Sequence, residues 1–373
     1  MEEFFIFLSE IEDHRQEWKV RHLLKDIVAI VLFAHLGNMN DWQEIEYFAE
    51  HNEKTLKKYL ELPNGIPSHD TIQRVFSCIN PEVLKNVFNI WNKMLNSNDG
   101  EKLKTLLCID GKTIKGNRNK NQDPLHIVSA WAKDGGICLG QKSSDSKGKE
   151  IPCIKDLLDS LTLKDKIITI DAIGTQTEIA EKIKTKKGDY VLAVKNNQKN
   201  LYNDISTYLD DPDMQKKLKE QGNYSITKEK AHGQIETREY YQTSDISWIY
   251  NKDNWKGLKS IGCVKKTVEK DGRKTVETRY HISSLAPDIP LYEKCVRGHW
   301  SIESLHWHLD VTFREDKNKT YEKTAAENLN IIRKLALSIL KILEINKKCN
   351  TLKRKRLSIS WNFEEYLEKL IVL

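Results

Sequence analysis

The sequence lacks the marks of secreted, membrane-spanning and zinc-binding proteins. Its 373 residues include seven cysteines, and no two of them form a C-x-x-C pair. An odd, scattered set of this kind disfavours a disulfide scaffold or a zinc site and favours buried free thiols. The longest apolar stretch, DIVAIVLFAHLG, is too short to span a bilayer. The acidic N-terminus lacks the basic segment of a signal peptide. We therefore expect a cytoplasmic protein without a membrane partner.

Several enzyme signatures are also missing. The chain contains no H-E-x-x-H, G-x-x-x-x-G-K-[ST] or G-x-G-x-x-G motif and no nucleophile elbow. Two E-x-x-H pairs, at Glu303 and at Glu229, are the spacing of di-iron bundles, but the second lies in a strand-like context. The composition is that of an ordinary globular chain, with 39% hydrophobic and 31% charged residues. A net charge of +6 is compatible with a polyanionic partner.

The first hundred residues carry helical patterns. Apolar residues recur at helical spacing in EWKVRHLLKDIVAIVLFAHLG, which ends at Gly37, and again in DWQEIEYFAEHNEKTLKKYL. The breaker PNGIP follows, and Ser68 can cap the helix HDTIQRVFSCI. Helix, short turn and helix is the shape of a DNA-reading motif, and equally that of any small helical bundle. Both interpretations stay open, and NDGEK reads as a boundary at about residue 98.

From residue 103 the pattern changes to strands that end on acids. LKTLLCID, LHIVSAWAK and ICLGQKS predict an antiparallel meander, which is followed by a helix, the strand DKIITIDA, a helix and the strand DYVLAVKNNQ. The crossover helix allows the fourth strand to lie parallel to the first. Asp110 ends the first strand and Asp171 ends the fourth. Because sites collect at the carboxyl ends of adjacent parallel strands, we expect the two carboxylates to meet there.

Two adjacent carboxylates repel each other unless a cation lies between them, and oxygen ligands of this kind suit Mg²⁺ or Mn²⁺. A third carboxylate would complete a two-metal phosphodiester site. The segment 299–313 predicts a helix on which Glu303 stands between Trp300 and Trp307, which we expect to shelter it. Spacing alone leaves open whether Glu303 is that third acid or one more surface glutamate.

Two further segments complete the organisation of the chain. Alternating polar and apolar residues at about 221–290, with an Asp-Gly turn at 271–272, predict a β insertion. Near the C-terminus, NKKCNTLKRKR is a basic run that is either a solvated surface or a contact for a phosphate backbone.

The ordered set of motifs resembles the H-repeat-associated branch of bacterial insertion-sequence DDE transposases. The resemblance covers nearly the whole chain and rests on PSHDTIQRVFSCINPE, CIDGKTIKG, LHIVSAW, GQKSSDSKGKEIPCIKDLL, ITIDAIGTQTEIA, DYVLAVKNNQ and RGHWSIESLHWHLDVTFREDKNKT. It implies an α/β fold, namely an RNase H-like catalytic domain (residues 99–346) with a β insertion, preceded by a helical N-terminal domain (residues 1–98). Residues 347–373 would form a basic C-terminal tail with a short helix.

The resemblance also implies a catalytic triad and its partners. The triad would be Asp110, Asp171 and Glu303, holding Mg²⁺ or Mn²⁺. The partners would be double-stranded DNA, as terminal inverted repeats and as target, with a homo-oligomer assembling on the DNA of a bacterial nucleoid. Residues that we expect along the DNA path are Lys112, Lys195, Gln198, Arg297, Lys317 and, if its helix reads DNA, Arg74. Trp300 and Trp307 could stack on a displaced base, although core packing is the simpler expectation.

Three rival functions remain at this stage. The first is a catalytically silent transposase relic that only binds DNA. The second is a metal-dependent nuclease that cuts without joining, which would need neither the helical domain nor the β insertion. The third is a protein-interaction module, which leaves the twin acids at the strand ends unexplained.

Overall fold

The computed structural model describes residues 15–96, 106–231, 233–345 and 351–372, together with positions 6, 8, 11 and 13. Its centre is a mixed sheet, which contains nine strands within these described ranges, in the order β3-β2-β1-β4-β5-β9-β8-β7-β6. The strands are β1 Leu106–Thr113, β2 His126–Ala132, β3 Ile137–Ser144, β4 Ile167–Ile170, β5 Asp189–Val194, β6 Tyr224–Ala231, β7 Gln234–Thr243, β8 Ser260–Lys270 and β9 Arg273–Ser283.

Helices cover both faces of this sheet. They are α1 Leu24–Leu36, α2 Trp42–His51, α3 Glu53–Leu56, α4 His69–Cys78, α5 Pro81–Asn96, α6 Glu150–Ser160, α7 Thr177–Thr185, α8 Lys199–Asp210, α9 Pro212–Glu220, α10 Ile289–His299, α11 Ser301–Trp307, α12 Lys323–Ile342, α13 Leu352–Trp361 and α14 Phe363–Val372. Within the described ranges, no helix is both long enough and apolar enough to cross a membrane.

The first five strands have the predicted topology. β1, β2 and β3 form an antiparallel meander, whereas β4 and β5 pair in parallel with β1 and with each other. The crossovers run through α6 and α7, and they are required because parallel neighbours cannot be joined by a tight turn. This arrangement, with helices on both faces, is the RNase H-like fold that the resemblance implied.

The predicted β insertion is present as β6–β9, and it extends the central sheet instead of forming a separate layer. Strand β9 pairs antiparallel with β5, from Val191↔Ser283 to Val194↔Tyr280. The predicted turn joins β8 to β9, where Asp271 and Gly272 have φ values of 49° and 73°. Two left-handed residues in succession suit a two-residue hairpin, because their twist matches that of the strands. The insertion is therefore hydrogen-bonded to the strands that carry the acids.

Two hydrophobic cores sandwich the sheet. On one face, α6, α7 and α8 bury Ile154, Leu157, Ile179, Ile183 and Ile205 against β1, β4 and β5. On the other face, α12 is buried at every residue from 325 to 340. Helices α1, α4 and α5 pack against α12. The N-terminal helices thus share a core with the central sheet. Each large apolar side chain buried there contributes about 1.5–3 kcal/mol.

Several local expectations need correction. The first long helix begins at Leu24, because residues 17–19 form a separate 3-10 turn. The helix expected over 299–313 is broken at Trp300, and its last part, His308–Thr312, is a π-helix. Ser68 caps α4 as predicted, by accepting a hydrogen bond from the amide of Thr71.

The described part of the basic C-terminal run contains two exposed cations, Lys353 and Arg354, and two buried ones. Lys355 is 5% exposed and donates to the carbonyls of Leu340 and Leu343 at the end of α12, where a cation is favoured. Arg356 is fully buried and donates to the carbonyl of His35. These two cations therefore hold helices together and are not available to DNA. The remainder of the run, at 346–350, lies outside the described residues.

The described cysteines are free thiols, as expected. Five of the six are buried, and Cys78 is exposed. Cys349 lies outside the described residues.

Candidate metal centre and cleft

Strand register brings the two aspartates together. The parallel pairing of β1 with β4 ends at Ile109↔Ile170, so Asp110 and Asp171 are the next residues of the two strands. The expectation that β1 ends at Asp110 is wrong, however, because β1 continues to Thr113 through its pairing with β2. Asp171 starts a turn in which its Oδ1 accepts the amides of Ile173 and Gly174, at 3.1 and 3.3 Å. That turn fixes the Asp171 carboxylate beside Asp110.

A third carboxylate stands beside the aspartates, and it is Glu150, which the sequence did not single out. Oxygen atoms of Asp110, Glu150 and Asp171 all lie within 4.8 Å of one another. Glu150 is the first residue of α6 and is only 3% exposed. The one available sequence signal was an acid in the first turn of a helix that follows β3, and many surface helices begin in that way.

Gly111 makes room for Glu150. A Cβ atom built on Gly111 would lie 2.6 Å from Oε1 of Glu150 and 2.4 Å from Nε2 of His126. Contacts this close do not occur in real proteins, so any larger residue at position 111 would displace one of these buried groups. His126 is 1% exposed, and its Nδ1 is 2.9 Å from the hydroxyl of Thr113.

The carboxylate cluster lacks a compensating cation. Among the residues that the structure describes, no lysine or arginine forms an ion pair with Asp110, Glu150 or Asp171, and the nearest partners are histidines. His306 Nδ1 is 3.7 Å from Asp110, but burial lowers the pKa of His306 to about 3, so the ring is neutral.

Burial and like charge disfavour ionisation of both aspartates. Burial, followed by the charges of Asp171 and Glu150, raises the pKa of Asp110 to about 7. Burial and Glu150 also raise the pKa of Asp171, while Lys195 acts in the opposite direction. Clustered carboxylate oxygens without a protein cation are the donor set that a divalent hard cation binds. The residues present therefore fit Mg²⁺ or Mn²⁺.

Glu303 stands on the other wall of the same cleft. The cleft has a volume of ≈ 680 Å³ and is lined by residues that include Asp110, Asp171 and Glu303. Glu303 also contributes to the raised pKa of Asp110, less than Glu150 does. The expectation that Trp300 and Trp307 cover Glu303 is wrong, because Glu303 is exposed and Trp307 is itself 55% exposed. The break in the helix at Trp300 turns this face toward solvent.

Trp300 is a platform for cations from the β insertion. The guanidinium carbons of Arg238 and Arg279 lie 5.0 and 5.2 Å from the Trp300 ring, and the ammonium of Lys266 lies at 5.2 Å. Trp300 and Arg279 both line the cleft. Arg238 and Lys266 also pair with Glu236, and Arg279 pairs with Glu277. Strands β7, β8 and β9 thus bring cations to the rim of the carboxylate site with part of their charge compensated. Nothing in the sequence singles out these residues, because their side chains meet only through strand pairing.

Lys112 occupies a different position from the one expected. Its ammonium forms ion pairs with Asp310, Glu315 and Asp316 at 2.7, 2.9 and 3.3 Å, and its side chain is 9% exposed. Burial opposes the charge of Lys112, yet these carboxylates raise its pKa above the ordinary value. This geometry favours a structural role over the expected contact with phosphate.

The other residues expected along the DNA path fall into two groups. Lys195 is exposed and lines the cleft, whereas Lys317 and Arg74 are exposed at positions outside it. Arg74 lines a separate groove of ≈ 1060 Å³ that also includes Arg15, Lys19 and Arg21.

Gln198 and Arg297 are already engaged within the chain. Gln198 donates to the carbonyl of Thr175 at 3.0 Å. Arg297 forms ion pairs with Glu229 and, at 3.7 Å, with Glu293.

Comparison with known proteins gives a consistent family. The model described as "Transposase DDE domain" matches residues 101–339, and the one described as "DDE_Tnp_1-associated" matches residues 5–92. "Putative transposase YncI" of Escherichia coli O157:H7 is 37% identical over 98% of this chain and 93% of its own length. "H repeat-associated putative transposase YhhI" of Escherichia coli K12 is 37% identical over 89% of each chain.

The comparison with solved structures gives a distant similarity to a transposase complex. The cryo-EM structure of a piggyBac transposase synaptic complex with hairpin DNA matches with a TM-score of 0.40 and 12% identity. The match covers 98% of this chain and 77% of that one.

Proposed function

We propose that this chain, which belongs to the transposase DDE domain family, cuts double-stranded DNA at the ends of an insertion sequence and joins the freed ends to target DNA. The observation that carries the proposal is the pair Asp110 and Asp171, which directly follow the last paired residues of β1 and β4 and line one cleft with Glu303. A protein-interaction module has no use for half-buried aspartates that line a cleft without a paired lysine or arginine among the described residues.

Asp110, Asp171 and Glu303 are the proposed catalytic acids, and they would hold Mg²⁺ or Mn²⁺. When bound, such ions stabilise the charge that develops on the attacking and leaving oxygens of a phosphodiester and lower the pKa of water. The role of the chain is to hold the carboxylates in place, and a bound cation would favour their ionised form. The turn at Asp171 fixes one of them, and the β1–β4 register fixes the other beside it.

The proposed reaction has two phosphoryl-transfer steps. Water attacks a phosphorus at the element end, and the 3′-oxygen leaves as a hydroxyl. That hydroxyl then attacks a phosphorus in target DNA, and a target 3′-hydroxyl is released. Neither step needs a covalent bond between protein and DNA, so no serine or tyrosine nucleophile is required.

DNA would approach the cleft from the side of the β insertion. Lys195 and Arg279 line the cleft wall, and Arg238 and Lys266 stand behind Trp300. Lys317 and Arg74 are exposed and would contact DNA outside the cleft. The terminal inverted repeats and the target are the proposed partners, and we propose that the chain oligomerises when two ends are paired.

The test uses purified protein and labelled duplexes that carry the inverted repeats flanking its own gene. With Mg²⁺ we expect cleavage at the element end by the native protein and none above background by Asp110→Asn, Asp171→Asn or Glu303→Gln. All three variants should still bind the duplex. With Ca²⁺ in place of Mg²⁺, binding should persist without cleavage.

The outcomes separate the rival functions. Binding without cleavage by the native protein would show a silent DNA-binding relic. Mass analysis of the products distinguishes cleavage from strand transfer. Cleavage without strand transfer would show a simple nuclease. Full cleavage in EDTA would contradict a metal-dependent mechanism.

A further inference from the structure

We propose that Glu150 is a direct ligand of the metal centre, and that Asp110, Glu150 and Asp171 together form a cation site that fills before DNA is bound. The inference deepens the proposed function, since it adds a residue to the same site. It also changes the order of events, because Glu303 would join only once DNA occupies the cleft. The clustering of three oxygens within 4.8 Å is the first observation behind it.

The second observation is an unpartnered buried nitrogen beside Glu150, namely Nε2 of His126. A carboxylate that is 3% exposed ordinarily accepts several hydrogen bonds. The only ion-pair contact of Glu150 within the described part of the chain is His126, whose Nε2 lies 3.2 Å from Oε2. That contact lacks hydrogen-bond geometry, since His126 Nε2 is itself a buried atom without a hydrogen-bond partner. A cation placed among the three carboxylates would contact the Glu150 oxygens.

His126 and Gly111 support this role from behind. A Thr113 hydroxyl that donates to Nδ1 of His126 leaves the proton on Nε2, which faces Glu150. Buried polar groups that contact a ligating carboxylate are common outer partners of metal sites. Gly111 leaves the space that both groups need. Three residues of β1 and β2 are thus arranged around the carboxylate of Glu150.

Glu303 differs from Glu150 in every one of these respects. It is exposed, it lies outside the cluster of oxygens within 4.8 Å, and it belongs to the short helix α11. The free protein therefore offers a preformed three-carboxylate site on the side of α6 and an open acid on the side of α11. This asymmetry is what the experiment probes.

The experiment measures Mn²⁺ binding to the full, DNA-free protein by titration calorimetry, with metal-induced change in the thermal midpoint as a second readout. We expect Glu150→Gln to weaken Mn²⁺ binding at least tenfold and to abolish the metal-induced rise in the midpoint. Glu303→Gln should bind Mn²⁺ within about twofold of the native protein, a difference of about 0.4 kcal/mol. Glu327→Gln is the matched control, because Glu327 is a buried glutamate outside the cluster, paired with Lys85.

A second measurement does not depend on how the variant folds. Native protein loaded with Fe²⁺ and treated with ascorbate and peroxide is cut by locally formed radicals, and mass spectrometry maps the cuts. We expect cuts around residue 150 as well as around 110 and 171. Native-like Mn²⁺ binding by Glu150→Gln would overturn the proposal, and so would cuts near 303 with none near 150.

The failure of this inference is distinct from the failure of the proposed function. Absence of DNA cleavage by the native protein would leave the Mn²⁺ result standing. Conversely, unchanged Mn²⁺ binding by Glu150→Gln would remove Glu150 from the site and leave DNA cleavage by Asp110, Asp171 and Glu303 intact.

Discussion

Two residues of β1, Asp110 and Lys112, belong to two different clusters of charged side chains. The first cluster contains acids without a paired lysine or arginine, and in the second cluster acids and cations are paired. At Asp110, three carboxylates converge with no lysine or arginine paired to them among the described residues. At Lys112, carboxylates converge on a cation, and Glu315 is also paired with Arg333 at 3.3 Å. The Lys112 and Glu315 side chains are 9% and 0% exposed, whereas Asp110 and Asp171 are half-buried. In the balanced cluster the charges compensate one another within the fold, whereas the unbalanced cluster costs stability until, as we propose, a cation binds.

The largest effect is expected in the balanced cluster. Glu315 is fully buried and accepts from Asn330 at 2.9 Å, Lys112 and Arg333. Glu315→Gln leaves two cations with less compensation, so we expect the free energy of unfolding to fall by about 3–5 kcal/mol. Equilibrium unfolding in denaturant measures this loss of free energy. Asp310→Asn is the control in the same cluster, because Lys112 keeps two carboxylates, and a loss as large as that of Glu315→Gln would contradict the comparison.

The unbalanced cluster should respond in the opposite direction. Asp110→Asn removes one of three repelling charges, so the metal-free protein should gain about 1–3 kcal/mol in free energy of unfolding at pH 8. The same variant should have no cleavage activity. Thermal unfolding in EDTA, together with the cleavage assay, measures both. A variant that is inactive and also less stable would show that Asp110 is structural.

The two clusters should also have separate pH windows. The folded-state pKa of Asp110 is raised from 3.8 to about 7, so the folded protein binds the proton more tightly. Metal-free stability should therefore rise as pH falls from about 7 toward 4. Lys112 and Arg333 outweigh the burial of Glu315 and lower its pKa from 4.5 to about 2. That contribution is present above pH 4.5 and is lost as pH falls toward 2.

Equilibrium unfolding of the metal-free protein across this range checks the two windows. Asp110→Asn should flatten the profile between pH 7 and 4 and leave the acid limb unchanged. An unaltered upper limb in that variant would assign the effect to other groups.

The smallest effect is expected at Lys195, which the sequence placed along the DNA path together with Lys112. Lys195 is exposed in the cleft, so Lys195→Ala should leave stability unchanged, weaken DNA binding less than tenfold and reduce the salt slope of log affinity by about 1. Fluorescence anisotropy at several salt concentrations measures the slope. Lys216→Ala is the control, since Lys216 is exposed on α9 and does not line the cleft. Equal slopes for the two variants would exclude a phosphate contact at Lys195.

The sequence was sufficient where the evidence is local. Apolar runs that end in Asp110 and Asp171, together with the order of strands and helices, predicted the pairing that the register shows. Prediction from the sequence failed where the side chains that contact each other are distant along the chain. Lys112 meets acids about two hundred residues downstream, and Glu150 is recognisable only once α6 is packed against the sheet. The role of Glu303 remains a prediction, since its exposure gives no independent sign of function.

The close packing around Gly111 has a consequence for deciding which copies of a mobile element are active. Genomes accumulate degenerate copies, and intactness is commonly judged by whether the acidic residues survive. Here a single codon change to alanine at position 111 would put a methyl group 2.6 Å from the Glu150 carboxylate while every acid remains in the reading frame. Such a copy would retain every acid, and we expect it to be inactive. A survey of active elements should therefore also check that this glycine is present.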